Sequence, residues 1–96
     1  MLDSKQRAHL KALAHPRKPV VLVGKKGLSD NLIKEALGAL LAHELIKVQF
    51  QESALEEMES ICQQLALDLD AEIVETRGHV VTFYKSHPEN PRISLK

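Results

Sequence analysis

Aromatic residues are scarce in this chain of 96 residues, which has no tryptophan, two phenylalanines and one tyrosine. We expect Phe50 to lie in the hydrophobic core, together with at least one of Phe83 and Tyr84. The few aromatic side chains that remain cannot form the surface on which RRM and OB domains stack several bases. The composition therefore excludes an aromatic stacking platform.

Cysteine and long apolar runs are scarce as well. Cys62 is the only cysteine, so no internal disulfide can form. We expect Cys62 to be a buried core residue and the protein to reside in a reducing compartment. No apolar run approaches the ~20 residues of a membrane span. Residues 1–7 lack the apolar region of a signal peptide. The expectation is a cytoplasmic protein with no membrane partner.

Motifs for catalysis and metal binding are missing too. Residues 43–47 begin like the zinc motif H-E-x-x-H, but Lys47 replaces the second histidine. The five histidines show no metal-ligand spacing beside Cys62, and no carboxylates are paired in a predicted pocket. Gly24 and Gly27 match neither a Walker A loop nor a dinucleotide fingerprint. We therefore expect no enzyme, no cofactor and no metal.

Charge is present but strongly segregated along the chain, although the net charge is zero. From Lys5 to Lys26 there are seven basic residues and no acidic one, whereas from Gln49 to Thr76 there are eight acidic residues and no basic one. A charge run is usually a solvated face. Two opposite runs separated this completely indicate a bipolar molecule with one face suited to a polyanion.

The most informative stretch is residues 20–30. Its apolar run predicts a buried strand, and Ser29 is a good N-cap for the helix that follows. Between them, Gly24 and Gly27 bracket two lysines in a G-x-x-G turn, where a backbone without Cβ atoms can approach a phosphate closely. Spacing alone leaves a second interpretation open, in which the two glycines only make a tight turn.

The hydrophobic pattern predicts three helices and four strands in the order α-β-α-β-α-β-β. A capping box is predicted at Asp3 and another at Ser53, and residues 77–79 read as a hairpin turn. The β-α-β steps should give parallel neighbours and the final hairpin an antiparallel strand, hence a mixed sheet. The predicted helices are 3–14, 30–43 and 54–67, and the predicted strands are 20–23, 45–50, 71–76 and 80–85.

The length predicts one domain, 1–96, which we expect to be a monomer. Residues 86–96 contain two prolines and are predicted to form a mostly irregular tail packed through Ile93 and Leu95.

Two segments together resemble a known family. The sequence V-G-K-K-G-L-S at residues 23–29, followed by A-H-E-L-I-K-V at residues 42–48, is similar to the CRM domain (chloroplast RNA splicing and ribosome maturation), and most of all to its single-domain bacterial YhbY-like members. The similarity extends from Gln6 to Lys85. The pairing of the two segments is specific, whereas the glycine turn alone is not.

The resemblance implies an RNA-binding domain with an α+β fold. It implies two layers and a four-stranded mixed sheet in the order 1-2-4-3, as in the C-terminal domain of bacterial initiation factor three. Single-domain bacterial members are associated with precursors of the large ribosomal subunit, so the implied partner is their rRNA, with ribosomal proteins as further partners. Plant relatives with several such domains assist group II intron splicing.

The predicted RNA contacts combine the resemblance with the basic run. The family's G-x-x-G loop corresponds to Gly24, Lys25, Lys26 and Gly27. Four further cations would extend the surface, with solvated charges as the alternative interpretation for the first helix. No RNA contact is assigned to Glu44 or Lys47. The four extending cations are Arg7, Lys11, Arg17 and Lys18.

Two other functional classes stay open at this point. The basic face could meet an acidic protein, which would make the chain an adaptor of the ribosome or its assembly factors. A small RNA-processing enzyme is the other class, and the missing catalytic set argues against it. The acidic run is explained first by solvation, then by repulsion of RNA from the wrong face or contact with a basic ribosomal protein.

Overall fold

Three α-helices and four β-strands follow one another in the predicted order in a computed structural model, which describes residues 2–95. A 3-10 helix, Glu52–Glu57, lies between the second strand and the third α-helix. Within residues 2–95, no helix combines the length and the apolar character needed to cross a membrane. The elements are α1 Ser4–Ala14, β1 Val21–Val23, α2 Asp30–His43, β2 Leu45–Phe50, α3 Met58–Leu69, β3 Glu72–Arg77 and β4 Val80–Tyr84.

The sheet has the strand order β1-β2-β4-β3, with β1 parallel to β2 and β4 antiparallel to both of its neighbours. The mixed sheet and its order are therefore confirmed. The expectation of parallel neighbours holds for β1 and β2 but is wrong for β2 and β3, because β4 lies between them. Val81 and Phe83 of β4 are fully buried, which suits a central strand, whereas β3 carries charged residues that suit an edge.

The two faces of the sheet bury different sets of side chains. On one face, α2 and α3 pack over Val48, Phe50 and Phe83 to form the larger core. On the other face, Leu10 of α1 packs with Tyr84, and Ile93 of the C-terminal segment packs against them. The predicted α+β class is confirmed, as is the packing of the tail. The two expected layers are not the whole architecture, because the segment containing α1 adds a third layer over part of the sheet.

Helix caps follow the local sequence in α1 and α2. The Gln6 amide donates to Asp3 Oδ1 at 2.8 Å, and the Asp3 amide donates to Gln6 Oε1 at 3.1 Å, so the capping box of α1 is confirmed. The Leu32 amide donates to Ser29 Oγ at 3.1 Å, which confirms the N-cap of α2. These caps fix the start of each helix within one residue of its prediction.

The predicted start of the third helix at residue 54 is wrong. Ser53 makes no capping bond, and the chain instead enters the 3-10 helix at Gln51 before α3 begins at Met58. The Gln51 amide donates to Val23 O at 2.8 Å, which anchors the chain to β1 as it leaves β2. The tight turn that follows buries Ala54 in the core. A contact distant in sequence thus overrides the local capping signal.

Glu44 joins α2 to the C-terminal segment. It ends α2 with a positive φ of 63°, and its side chain is fully buried. Its two carboxylate oxygens accept from the amides of His87, Arg92 and Ile93 at 2.8, 2.8 and 2.9 Å. The Arg92 guanidinium also donates to the carbonyl of Ala42. This carboxylate holds the irregular tail in one place against the fold.

The surroundings of Glu44 act on its pKa in opposite directions. Burial raises the pKa, whereas the three amide donors and the positive charge of Arg92 lower it, and the net pKa lies below the ordinary 4.5. Because the folded pKa is lower than the unfolded pKa, the stabilisation is present above about pH 4.5 and is lost as the pH falls through the folded pKa.

Replacement of Glu44 by Gln should therefore destabilise the fold at neutral pH. We expect a loss of about 2 kcal/mol in the free energy of unfolding, because charge-assisted hydrogen bonds become neutral ones or are lost. The difference from the parent protein should shrink as the pH falls below about 4.5. Urea unfolding at a series of pH values measures it. Glu35→Gln, on the exposed side of α2, is the control, and equal stability of both variants at pH 7 would contradict the role of Glu44.

Candidate nucleic-acid interface

The G-x-x-G loop is a β-turn between β1 and α2. The Gly27 amide donates to Gly24 O at 2.9 Å and closes the turn, so that Lys25 and Lys26 occupy its two central positions. Gly27 has a φ of +63°, a conformation in which side chains with a Cβ are strained. The turn stands at the end of the sheet, one residue after the last pair of β1 and β2.

The groups at the tip of this turn have no partner inside the described chain. Both lysine side chains are exposed. Within residues 2–95, no hydrogen bond or ion pair engages the amides or the ammonium groups of Lys25 and Lys26. Two amide donors and two cations thus face solvent within four residues, an arrangement that can meet phosphate oxygens.

The N-terminus of α2 is less suited to binding an anion than its position near the turn suggests. Two residues, Leu28 and Ser29, separate it from the turn. The Ser29 hydroxyl already accepts from the amide of Leu32, and Asp30 places a carboxylate in the first helical turn. A phosphate at the helix end would meet this negative charge. The groups available to meet an anion are therefore those of the turn itself.

Three side chains from the part of the chain after β2 lie beside the turn. A Cβ added at Gly24 would lie 2.7 Å from Gln51 Oε1, the end of a flexible side chain. A Cβ added at Gly27 would lie 3.6 Å from Ile61 Cδ1 and 3.9 Å from Glu57 Oε2. Glu57 thus brings a carboxylate next to Gly27, at the end of the turn. Sequence reasoning missed this neighbour, because only the 3-10 helix places it there.

The four predicted cations outside the turn fall into two groups. Lys11 and Lys18 are exposed, and no hydrogen bond or ion pair holds their side chains within residues 2–95. Arg7 Nη1 donates to the carbonyls of Ile73 and Val74 at 2.7 and 2.8 Å, and Arg17 Nη1 donates to Leu45 O at 2.7 Å. Both arginines therefore bind the protein's own backbone, which leaves their other guanidinium nitrogens for a ligand.

The segregated charges of the sequence lie in part on opposite sides of the sheet, although Glu75 of the acidic run lies on the α1 side. α1, with Lys11, packs on one face, and α3, with Glu59, packs on the other. Lys47 and Arg77, which were not predicted as contacts, lie on the α1 side beside Lys11. Alternation along β2 places Lys47 opposite Ile46 and Val48, but the sequence does not show what covers that face.

Metal chemistry finds no support in this part of the chain. Within residues 2–95, no group of three or more histidine, cysteine, aspartate or glutamate side chains could hold a metal ion. Cys62 is buried, as expected, and burial raises the pKa of its thiol to about 11. A thiol of this kind stays protonated at neutral pH.

Comparison with known proteins identifies the family. Residues 2–85 match the sequence model of the CRS1/YhbY (CRM) domain. The chain belongs to this family. The resemblance that the two sequence segments predict is thereby confirmed.

Relatives of this CRM domain carry names that refer to RNA. The chain is 37% identical to the "Probable RNA-binding protein YqeI" of Bacillus subtilis over 99% of both chains. It is 36% identical to an "RNA-binding protein" of Haemophilus influenzae over 92% of this chain and 89% of that protein. The solution structure of SAV1595 from Staphylococcus aureus is 31% identical, with a TM-score of 0.82 and full coverage of both chains.

The two glycines of the G-x-x-G loop should differ in their tolerance of a side chain. Gly27→Ala should lower the free energy of unfolding by about 1–2 kcal/mol, because alanine is strained at positive φ. Gly24→Ala should cost much less, since the Gln51 side chain can rotate away. Denaturant unfolding of the two variants tests this difference. Equal losses would show that the turn does not depend on the conformation of Gly27.

Proposed function

We propose that this CRM domain binds structured RNA through its G-x-x-G loop and assists assembly of the large ribosomal subunit. The observation that carries the proposal is the pair of unpartnered lysines, Lys25 and Lys26, at the tip of a glycine turn. The names of its relatives support RNA as the ligand. The resemblance to single-domain bacterial members supports the rRNA of a large-subunit precursor and a cytoplasmic location.

The loop contributes backbone contacts rather than base recognition. Lys25 and Lys26 would bind phosphate oxygens as point charges, while their amides donate to the same or a neighbouring phosphate. Gly24 and Gly27 shape the turn so that RNA can approach its backbone. Phe50, Phe83 and Tyr84 are buried, so their rings are not available to stack on bases of the RNA.

Exposed cations of α1 and of the connection between α1 and β1 would extend the RNA-binding surface beyond the loop. Lys11 and Lys18 are free to contact further phosphates, and Arg7 and Arg17 can add contacts through nitrogens that the protein does not use. The binding surface therefore contains four to six cations. It lies away from the acidic outer side of α3, so docking has one favourable orientation.

Salt dependence tests the proposal. With four to six phosphates neutralised, the logarithm of the affinity should fall with the logarithm of salt concentration at a slope of about −3 to −5. Fluorescence anisotropy on a fragment of large-subunit rRNA measures the slope. Lys25→Ala and Lys26→Ala should each weaken binding and make the slope less negative by about 1.

Lys5→Ala is the matched control, because Lys5 is exposed in the first turn of α1 and points about 200° away from Arg7 around the helix. This variant should bind with an almost unchanged slope. A slope near zero for the parent protein, or equal effects at all three positions, would refute binding through the loop. Capture of a protein partner that survives nuclease treatment would then favour the adaptor function.

Glu57 should oppose RNA binding at the loop. Its carboxylate lies beside Gly27, so Glu57→Gln should raise the affinity about two- to threefold at low salt by removing a repulsion of up to roughly 0.7 kcal/mol. Asp68→Asn is the control, because Asp68 lies about 16 Å further along α3 at 1.5 Å per residue. Equal gains from both variants would indicate a general charge effect, and no gain from Glu57→Gln would contradict the local repulsion.

A further inference from the structure

A cavity lies between the last turn of α1 and the part of the sheet that α1 leaves uncovered. Its volume is about 390 Å³, which falls in the range of pockets that hold small ligands. Ala12 and His15 line it from α1 and its C-cap, and Val80 and Thr82 line it from β4. We refer to it as the α1 cavity. None of the contacts predicted from the sequence uses it except Lys11.

Basic groups from three separate elements converge on the α1 cavity. Lys11 comes from α1, Lys47 from β2 and Arg77 from β3, and Glu75 is the acidic residue in the lining. Lys47 Nζ donates to His15 O at 3.3 Å, which holds its ammonium at the mouth. No hydrogen bond or ion pair occupies the side chains of Lys11 and Arg77 within residues 2–95. The cavity therefore has an excess of positive charge available to an anion.

The walls of the α1 cavity are apolar between these charges. Ala12, Val80 and the aliphatic stems of the basic residues provide the surface, while Thr82 offers a hydroxyl. A guanidinium such as that of Arg77 can also stack on the plane of a base. An inorganic anion would leave the apolar walls unused, whereas a nucleotide has both a charged phosphate and a flat apolar base.

The cavity is connected to the G-x-x-G loop by one row of the sheet. Leu22 pairs with Gln49, Gln49 with Val80 and Val80 with Arg77, so these four residues share the face that α1 leaves open. Leu22 is 52% exposed. The row spans three strand spacings, roughly 14 Å, and its β1 end lies two residues before Gly24. An RNA strand bound at the loop could reach the cavity along this row.

We propose that the α1 cavity holds an unpaired nucleotide of the RNA that the G-x-x-G loop binds. Lys11 and Lys47 contact its phosphate, and its base stacks on the Arg77 guanidinium and packs against Val80. This inference rests on the proposed function and extends it, because it makes an RNA helix interrupted by an unpaired nucleotide the preferred ligand over a continuous one.

Two hairpin RNAs test the proposal by fluorescence anisotropy at a single salt concentration. One carries a single unpaired nucleotide in its stem, and the other is the fully paired hairpin of otherwise identical sequence. The parent protein should bind the interrupted hairpin about fivefold more tightly, the lower end of what one base contributes to binding. Ala12→Leu, which narrows the cavity without changing charge, and Arg77→Gln should bind both hairpins equally.

The remaining outcomes separate the cavity from the loop. Lys25→Ala should weaken binding of both hairpins by the same factor and keep their ratio. Equal binding of the two hairpins by the parent protein, or retention of its preference in both cavity variants, would overturn this inference and leave the proposed function intact. If the parent protein bound neither hairpin, the proposed function would be overturned as well. Circular dichroism of the variants verifies their fold.

Discussion

The buried carboxylate of Glu44 is the interaction on which the arrangement of this domain depends. A carboxylate removed from water is strongly destabilising unless hydrogen bonds surround it, and here all three donors come from the C-terminal segment. The Glu44 carbonyl also accepts from the amide of Lys85, so the residue joins the end of α2 to the end of β4. Release of the segment would leave a charge without partners. Ile93 is consequently held against Leu10, and the C-terminal segment covers part of the buried side of α1.

The order of the strands brings distant parts of the chain to one end of the sheet. β1 and β2 are parallel and end there, and β4 begins there, so the G-x-x-G turn, the 3-10 helix and the β3–β4 turn are neighbours. The Phe50 amide donates to His79 O at 2.8 Å and closes β2 against the turn before β4. Loops placed by a rigid sheet can hold a ligand with little reorganisation. In the same topology, the part of the sheet face that α1 leaves uncovered extends to this end of the sheet.

Local signals were sufficient for most of the fold. The stripe of α2 and its Ser29 cap predict the observed Asp30–His43, and alternation predicts β2 at Leu45–Phe50. Prediction failed where a distant contact decides the structure, as at Gln51, whose bond to β1 replaces the cap expected at Ser53. The glycine turn was recognisable because its residues are adjacent in sequence. The α1 cavity was not, since its basic residues come from three elements whose packing the pattern of any one of them does not reveal.

Electrostatic range explains how a protein with zero net charge can still have a surface for a polyanion. At physiological salt the potential of an exposed charge decays over about 8 Å, and a helix with its side chains is about 10–12 Å thick. The outer carboxylates of α3 are therefore largely screened from a ligand on the opposite face. Glu57 is different, because it lies beside Gly27. The charges nearest the loop are those of Lys25 and Lys26, with Glu57 beside Gly27 and Asp30 in the first turn of α2 opposing them. Two cations opposed by nearby acids give weak attraction, so strong binding requires further contacts, and the continuous open face is where the chain can supply them.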